Sequence, residues 1–163
     1  MFDDADFRSV TTYFDDLESG ESATYGPHQM KRAAMIEFAE RFDPQPMHLN
    51  DEAARERGYD GVFASGYHTV GVATRLLVKN FLNESANLGG LGVDDLRWHA
   101  PVYPDDRLFA RHEVVSTRVS ESNPDRGIVV RDVEVLRAGE SEDPADTETV
   151  CSWTVTILMG RDR

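Results

Sequence analysis

Asp43 and His48 are the two residues of this 163-residue chain whose types and spacing most invite proton chemistry. They stand five apart in Asp43-Pro44-Gln45-Pro46-Met47-His48, with two prolines stiffening the chain between them. Each proline fixes its own φ and pushes the residue before it out of the helical region. A helix arriving from the N-terminal side therefore stops near Phe42. A carboxylate and an imidazole held on so restricted a connector form a proton-transfer pair, since histidine titrates near neutrality and a nearby carboxylate can tune and orient it. Spacing alone equally allows a polar inter-helix loop in which Asp43 satisfies backbone donors and His48 is packed.

The elements that must position this pair are legible on either side. Met35, Phe38, Ala39 and Phe42 recur at helical spacing and predict a helix over 31–42 with one apolar face. Asn50 is a suitable N-cap for a short helix over 51–57, closed by Gly58. A turn at Tyr59-Asp60-Gly61 leads to Val62-Phe63-Ala64 and then to the longest helical stretch, from Gly66 to about Leu82. Its apolar residues are spread around most of its circumference, which predicts a helix buried on most sides.

Upstream, residues 1–20, of which 1–12 lie outside the body of the domain, form a polar, acidic N-terminal arm in which Phe2, Phe7, Tyr13 and Phe14 pack a few rings before a turn at Ser19-Gly20. The stretch 22–30 is an edge strand interrupted at Gly26-Pro27. After residue 88 the chain reads as strands: 96–98, then 107–119, 128–136 and 149–159, with an acidic hairpin loop over 138–147. Leu108, Ala110, His112 and Val114 alternate to one side, as do Cys151, Trp153, Val155, Ile157 and Met159. The implied architecture is α+β: one domain over 1–163, an antiparallel sheet wrapped around a long central helix. Exposed sheet edges make a homodimer, or a higher homo-oligomer, the default.

Composition narrows the function. A net charge of -13 disfavours nucleic acid and anionic membrane as partners. No apolar run is long enough to span a bilayer, and the acidic start does not resemble a secretory leader, so the expectation is cytoplasmic. One cysteine, Cys151, excludes a disulfide framework and a multi-cysteine metal site. The histidines are too scattered for a metal centre. Only Lys31 and Lys79 are lysines among 17 basic residues, and Asp outnumbers Glu, a surface suited to a high-salt cytoplasm.

With these residues in place, the chain resembles the MaoC-like, R-specific enoyl-CoA hydratases of the hot-dog fold. The family motif, Asp-x-Asn-Pro-x-His followed by five residues and a small one, stands here as Asp43, Gln45, Pro46, His48 and Ala54. Gly61-Val62-Phe63-Ala64-Ser65-Gly66 and Leu96-Arg97-Trp98 with Pro101-Val102-Tyr103-Pro104 extend the likeness across nearly the whole chain. The resemblance implies syn hydration of a trans-2-enoyl-CoA, or its reverse, with Asp43 and His48 activating one water. It requires no metal or redox cofactor, coenzyme A being part of the substrate. The Gly66 N–H, unpaired at a helix start, becomes the donor to the thioester oxygen. Gln45, Pro46, Ser65 and His68 become substrate-binding candidates. Two departures stand out: Gln45 replaces the usual Asn, and Ser65 replaces a histidine often found before this glycine, with His68 nearby instead. A hot-dog acyl-CoA thioesterase and a non-catalytic acyl-thioester-binding subunit are the alternatives.

Overall fold

Period-two alternation builds the sheet. In a computed structural model, which describes residues 9–139 and 145–162, the strands are β1 (Ser22–Gln29), β2 (Asn87–Trp98), β3 (Arg107–Val119), β4 (Arg126–Ala138) and β5 (Thr147–Gly160). They form one antiparallel sheet in the order β1-β3-β4-β5-β2. Leu108, Ala110, His112 and Val114 of β3 all turn inward, opposite the inward Val129, Val133 and Val135 of β4. β1 is an edge strand, as its proline requires, and its pairing with β3 shifts register between Tyr25 and His28.

The helices are α1 (Arg32–Phe42), α2 (Asp51–Arg55) and α3 (Gly66–Asn80). α3 lies against the sheet, where Val72 and Ala73 join Met30, Met35, Leu108, Val133, Val150 and Trp153 in the main core. Each large apolar side chain so buried contributes on the order of 1.5–3 kcal/mol. A second cluster forms where the Phe14 ring packs on Gly127 and meets Val114, Val129, Ile157 and Met159. This is the ring packing expected of the N-terminal arm; Phe2 and Phe7 lie outside the described residues.

Three expectations are corrected. α3 is not buried on most sides: Thr69, Val72 and Ala73 are covered, while Tyr67, Gly71, Thr74 and Arg75 face outward. Its apolar residues on the sheet side suffice to anchor it, and the remaining ones are only half covered by this single chain. Phe42 likewise does not share the apolar face of α1; it is 72% exposed, and only Met35 and Ala39 are buried there. β2 also begins at Asn87, well before the strand read at 96–98. Its start is glycine-rich and almost wholly exposed, so it carries no inward-outward alternation. The β4–β5 connection is the expected loop, with 140–144 outside the described residues. No helix among the described residues is long and apolar enough to cross a membrane.

Candidate active site

The site is assembled by three consecutive loops. α1 ends at Asp43, whose N–H still bonds Ala39 O at 2.9 Å while its backbone has left the helical region. Pro46 then opens a 3-10 turn, Pro46–His48, that swings the imidazole back under Asp43. His48 is buried, 4% exposed, and its Nε2 stands 3.5 Å from Asp43 Oδ2. Its other nitrogen, Nδ1, is 3.0 Å from the Phe63 carbonyl oxygen. A carbonyl only accepts, so Nδ1 carries a proton, and Nε2 is the nitrogen that faces Asp43. Phe63 also packs edge-on against the ring, with centroids 4.7 Å apart.

Asp43 is held from two further sides. Ser65 Oγ donates to Oδ2 at 2.7 Å and the Gln45 amide donates to Oδ1 at 2.8 Å. The Gln45 hydrogen bond, with the Ser65 bond and the nearby His48, keeps this carboxyl below its ordinary range against the opposing effect of burial. Asp43 is therefore an anion at neutral pH, and any proton it shares comes from elsewhere. Ser65 is fully buried behind it, and that charge-assisted bond is worth about 1.5–3 kcal/mol.

Asp43 and His48 open into a cleft of about 450 Å³, whose walls include Gln45, Tyr59, Phe63, Gly66, Tyr67 and Trp98. Gly66 begins α3, and its N–H makes no hydrogen bond to any described residue. A Cβ at Gly66 would overlap the Trp98 indole, with Cδ1 only 2.8 Å away, so the close approach of wall and helix start requires glycine here. Tyr67, 61% exposed, meets Trp98 edge-on at 5.3 Å and forms the cleft's rim.

Of the residues singled out in the sequence, the fold brings Asp43, His48, Gly66 and Gln45 to this cleft. Pro46 and Ser65 are behind its wall, one starting the turn and the other bracing Asp43. His68 is not among the lining residues: its ring stacks on Phe38 with centroids 4.8 Å apart, and burial, with His28 nearby, lowers its pKa. It faces α1 because one helical step from Tyr67 turns a side chain away from the rim. Sequence reasoning missed Tyr67, Tyr59 and His99 as lining residues. Tyr67 had a signal, an aromatic directly after the candidate oxyanion glycine; the other two are placed by long-range packing. Among the described residues no group of three or more His, Cys, Asp or Glu side chains is set to hold a metal ion.

A carboxylate, an imidazole lone pair and a free helix-start N–H on one cleft can bind a water, take its proton and stabilise charge growing on a substrate oxygen. Comparison with known proteins identifies the family and the fold. The MaoC-like domain model matches residues 17–135. A MaoC-like dehydratase of Rhodospirillum rubrum is 33% identical, with a TM-score of 0.83 over 94% of this chain and 99% of its own. The R-hydratase PhaJ1 of Pseudomonas aeruginosa, at 20% identity and a TM-score of 0.70 over 92% of this chain and 86% of its own, shares the fold. The mesaconyl-CoA hydratase of Haloarcula hispanica is 23% identical over 99% of this chain and 43% of its own length, and the uncharacterized protein YdeM of Bacillus subtilis is 33% identical over 50% and 57%. The chain thus spans about half the length of the curated relatives it matches. With the family model covering most of it, the chain belongs to the MaoC-like domain family, in its hot-dog fold.

Proposed function

We propose that the chain is a hydro-lyase that adds water reversibly to a trans-2-enoyl-CoA, giving the (R)-3-hydroxyacyl-CoA. The observation that supports this most directly is the 3.5 Å approach of His48 Nε2 to Asp43 Oδ2 on a cleft that also contains Gly66. With the carboxyl ionised and the imidazole neutral, both atoms accept, so a water bridging them donates one hydrogen to each. Its oxygen lone pair is then free to attack C3. As the C3–O bond forms, one O–H bond breaks and its proton passes to the pair. The electrons of the double bond move toward the thioester oxygen, which accepts from the Gly66 N–H. Return of a proton to C2 from the same face completes a syn addition. Because Asp43 is held ionised, His48 is the natural first acceptor of the proton.

Exposed Leu88, Leu91 and Val93 on the edge strand β2 favour a homodimer through that edge. The test is crotonyl-CoA with the wild type and Asp43→Asn. Hydration removes the enoyl absorbance without freeing thiol, and the variant loses it. Release of free CoA instead would identify a thioesterase, and tight CoA binding without turnover a binding subunit.

A further inference from the structure

Among the described residues, Arg131 is buried with no carboxylate in hydrogen-bond contact, Glu21 acting on it only at a distance. Alternation along β4 places it on the inward face between Val129 and Val133, and it is 3% exposed. Its Nη1 donates to His112 Nδ1 at 2.5 Å, and the Phe81 ring covers the guanidinium with its centroid 4.1 Å from Cζ. Nε and Nη2 of Arg131, and Nε2 of His112, itself 6% exposed, have no hydrogen-bond partner among the described residues. No carboxylate hydrogen-bonds this guanidinium there, whereas Arg32, Arg111, Arg137 and Arg161 each hold one or more. Acid is not scarce in a chain of net charge -13. Burying a cation and three donor nitrogens unpaired is among the most unfavourable arrangements a fold can retain.

Two cavities meet at this pair. One, of about 510 Å³, carries Asp16 and Glu21 on its walls, which repel an anion. The other, of about 240 Å³ beneath α3, has no acidic wall; Leu77, Val93, Trp153, Val155 and Ile157 make it apolar, and Arg131, His112 and Thr74 are its polar groups. It is smaller than the ~300–1,000 Å³ of sites for drug-sized ligands, so its tenant has only a few carbons. It shares no lining residue with the Asp43–His48 cleft.

We propose that this apolar cavity is a second binding site, for a short aliphatic carboxylate. The head group takes the free guanidinium edge and the His112 Nε2–H, and the tail lies along Leu77, Val93 and Val155. Phe81, half-buried where α3 ends, moves aside as the head group enters. Charge-assisted, two-pronged contact of this kind is what a guanidinium offers a carboxylate. The site does not depend on the hydratase reading.

The test is hexanoate titrated into the full chain carrying Trp98→Phe, which leaves Trp153 on the cavity wall as its sole tryptophan. Saturable change in Trp153 emission is expected, with neutral hexanamide about tenfold weaker or worse. Arg131→Met removes that preference and does not lower the melting temperature without ligand, because an uncompensated buried charge is gone. Should that variant fail to fold, Val155→Phe fills the tail space with Arg131 intact and abolishes hexanoate binding, while Asp43→Asn leaves it unchanged. Absence of saturation, equal binding of hexanamide, or the same emission change with chloride alone overturns the proposal. So does binding that disappears as protein concentration rises, which would give the cavity to a second copy.

Discussion

His48 and His112 are buried to nearly the same degree, yet their surroundings differ in one respect that decides what each can do. His48 has a carbonyl on Nδ1 and a carboxylate facing Nε2, so its direction is set and its ring lines a cleft. His112 has a guanidinium on Nδ1 and nothing on Nε2 among the described residues. One imidazole has a partner from its own chain on each nitrogen. The other is kept neutral: burial, and then Arg131, push its pKa down to about 4. The difference teaches that burial alone does not tell two histidines apart; the partner on the second nitrogen does.

The sharpest way to break this comparison is at the finished site. Asp43→Asn or His48→Gln should lower kcat for crotonyl-CoA hydration by roughly 10²–10⁴ while leaving the fold intact by circular dichroism. A wild-type rate in either variant would remove that residue from the chemistry.

The unfinished site gives the next effect, through pH. His112 binds a proton less readily folded than unfolded, so stability declines as pH falls from about 6.5 to about 4 and is flat below. Urea midpoints across that window should lose up to about 3 kcal/mol, and His112→Phe should flatten the slope. A wild-type profile already flat there would mean the ring is not held neutral.

Gly66→Ala tests the wall between the two chemistries of α3. The new Cβ meets the Trp98 indole, so a loss of about 1–3 kcal/mol and a raised KM are expected from thermal melts and kinetics. Ser65→Ala is smaller still. With one of its donors gone, the Asp43 carboxyl rises toward the ordinary range, and the acid limb of kcat/KM should move up in pH. The sign follows because a lowered carboxyl pKa keeps the anion, and what it supports, until pH falls through that lower value. An acid limb unmoved by Ser65→Ala would deny the serine its bracing role. The mildest test is salt: a melting temperature that falls, not rises, with added KCl would contradict a surface built for high ionic strength.

The connector was legible because prolines act locally: Asp43-Pro44-Gln45-Pro46 dictates its own bend whatever surrounds it. The sheet's inner strands were legible through alternation, which β3 and β5 follow along most of their length. β2 was not, since Gly89, Gly90 and Gly92 have no side chains to alternate and its face is open. Ser65 was named for substrate contact, yet its oxygen serves a carboxylate 22 residues away. Nothing in a one-dimensional spacing states that distance. Arg131 was equally silent, because an arginine among valines reads as the outward member of an alternating strand until register places it inside.

Asp51 carries a consequence beyond its place at the start of α2. One of its oxygens accepts from Val62 N–H at 2.9 Å, and the pair together grips the Arg32 fork. A side chain outside the cleft wall thereby ties the helix that delivers Asp43 to the strand of backbone that delivers Phe63 and Gly66. The cleft's groups keep their spacing through a rivet at the protein's rim, so under the proposed chemistry damage there would imitate a chemical defect while leaving Asp43, His48 and Gly66 in the chain.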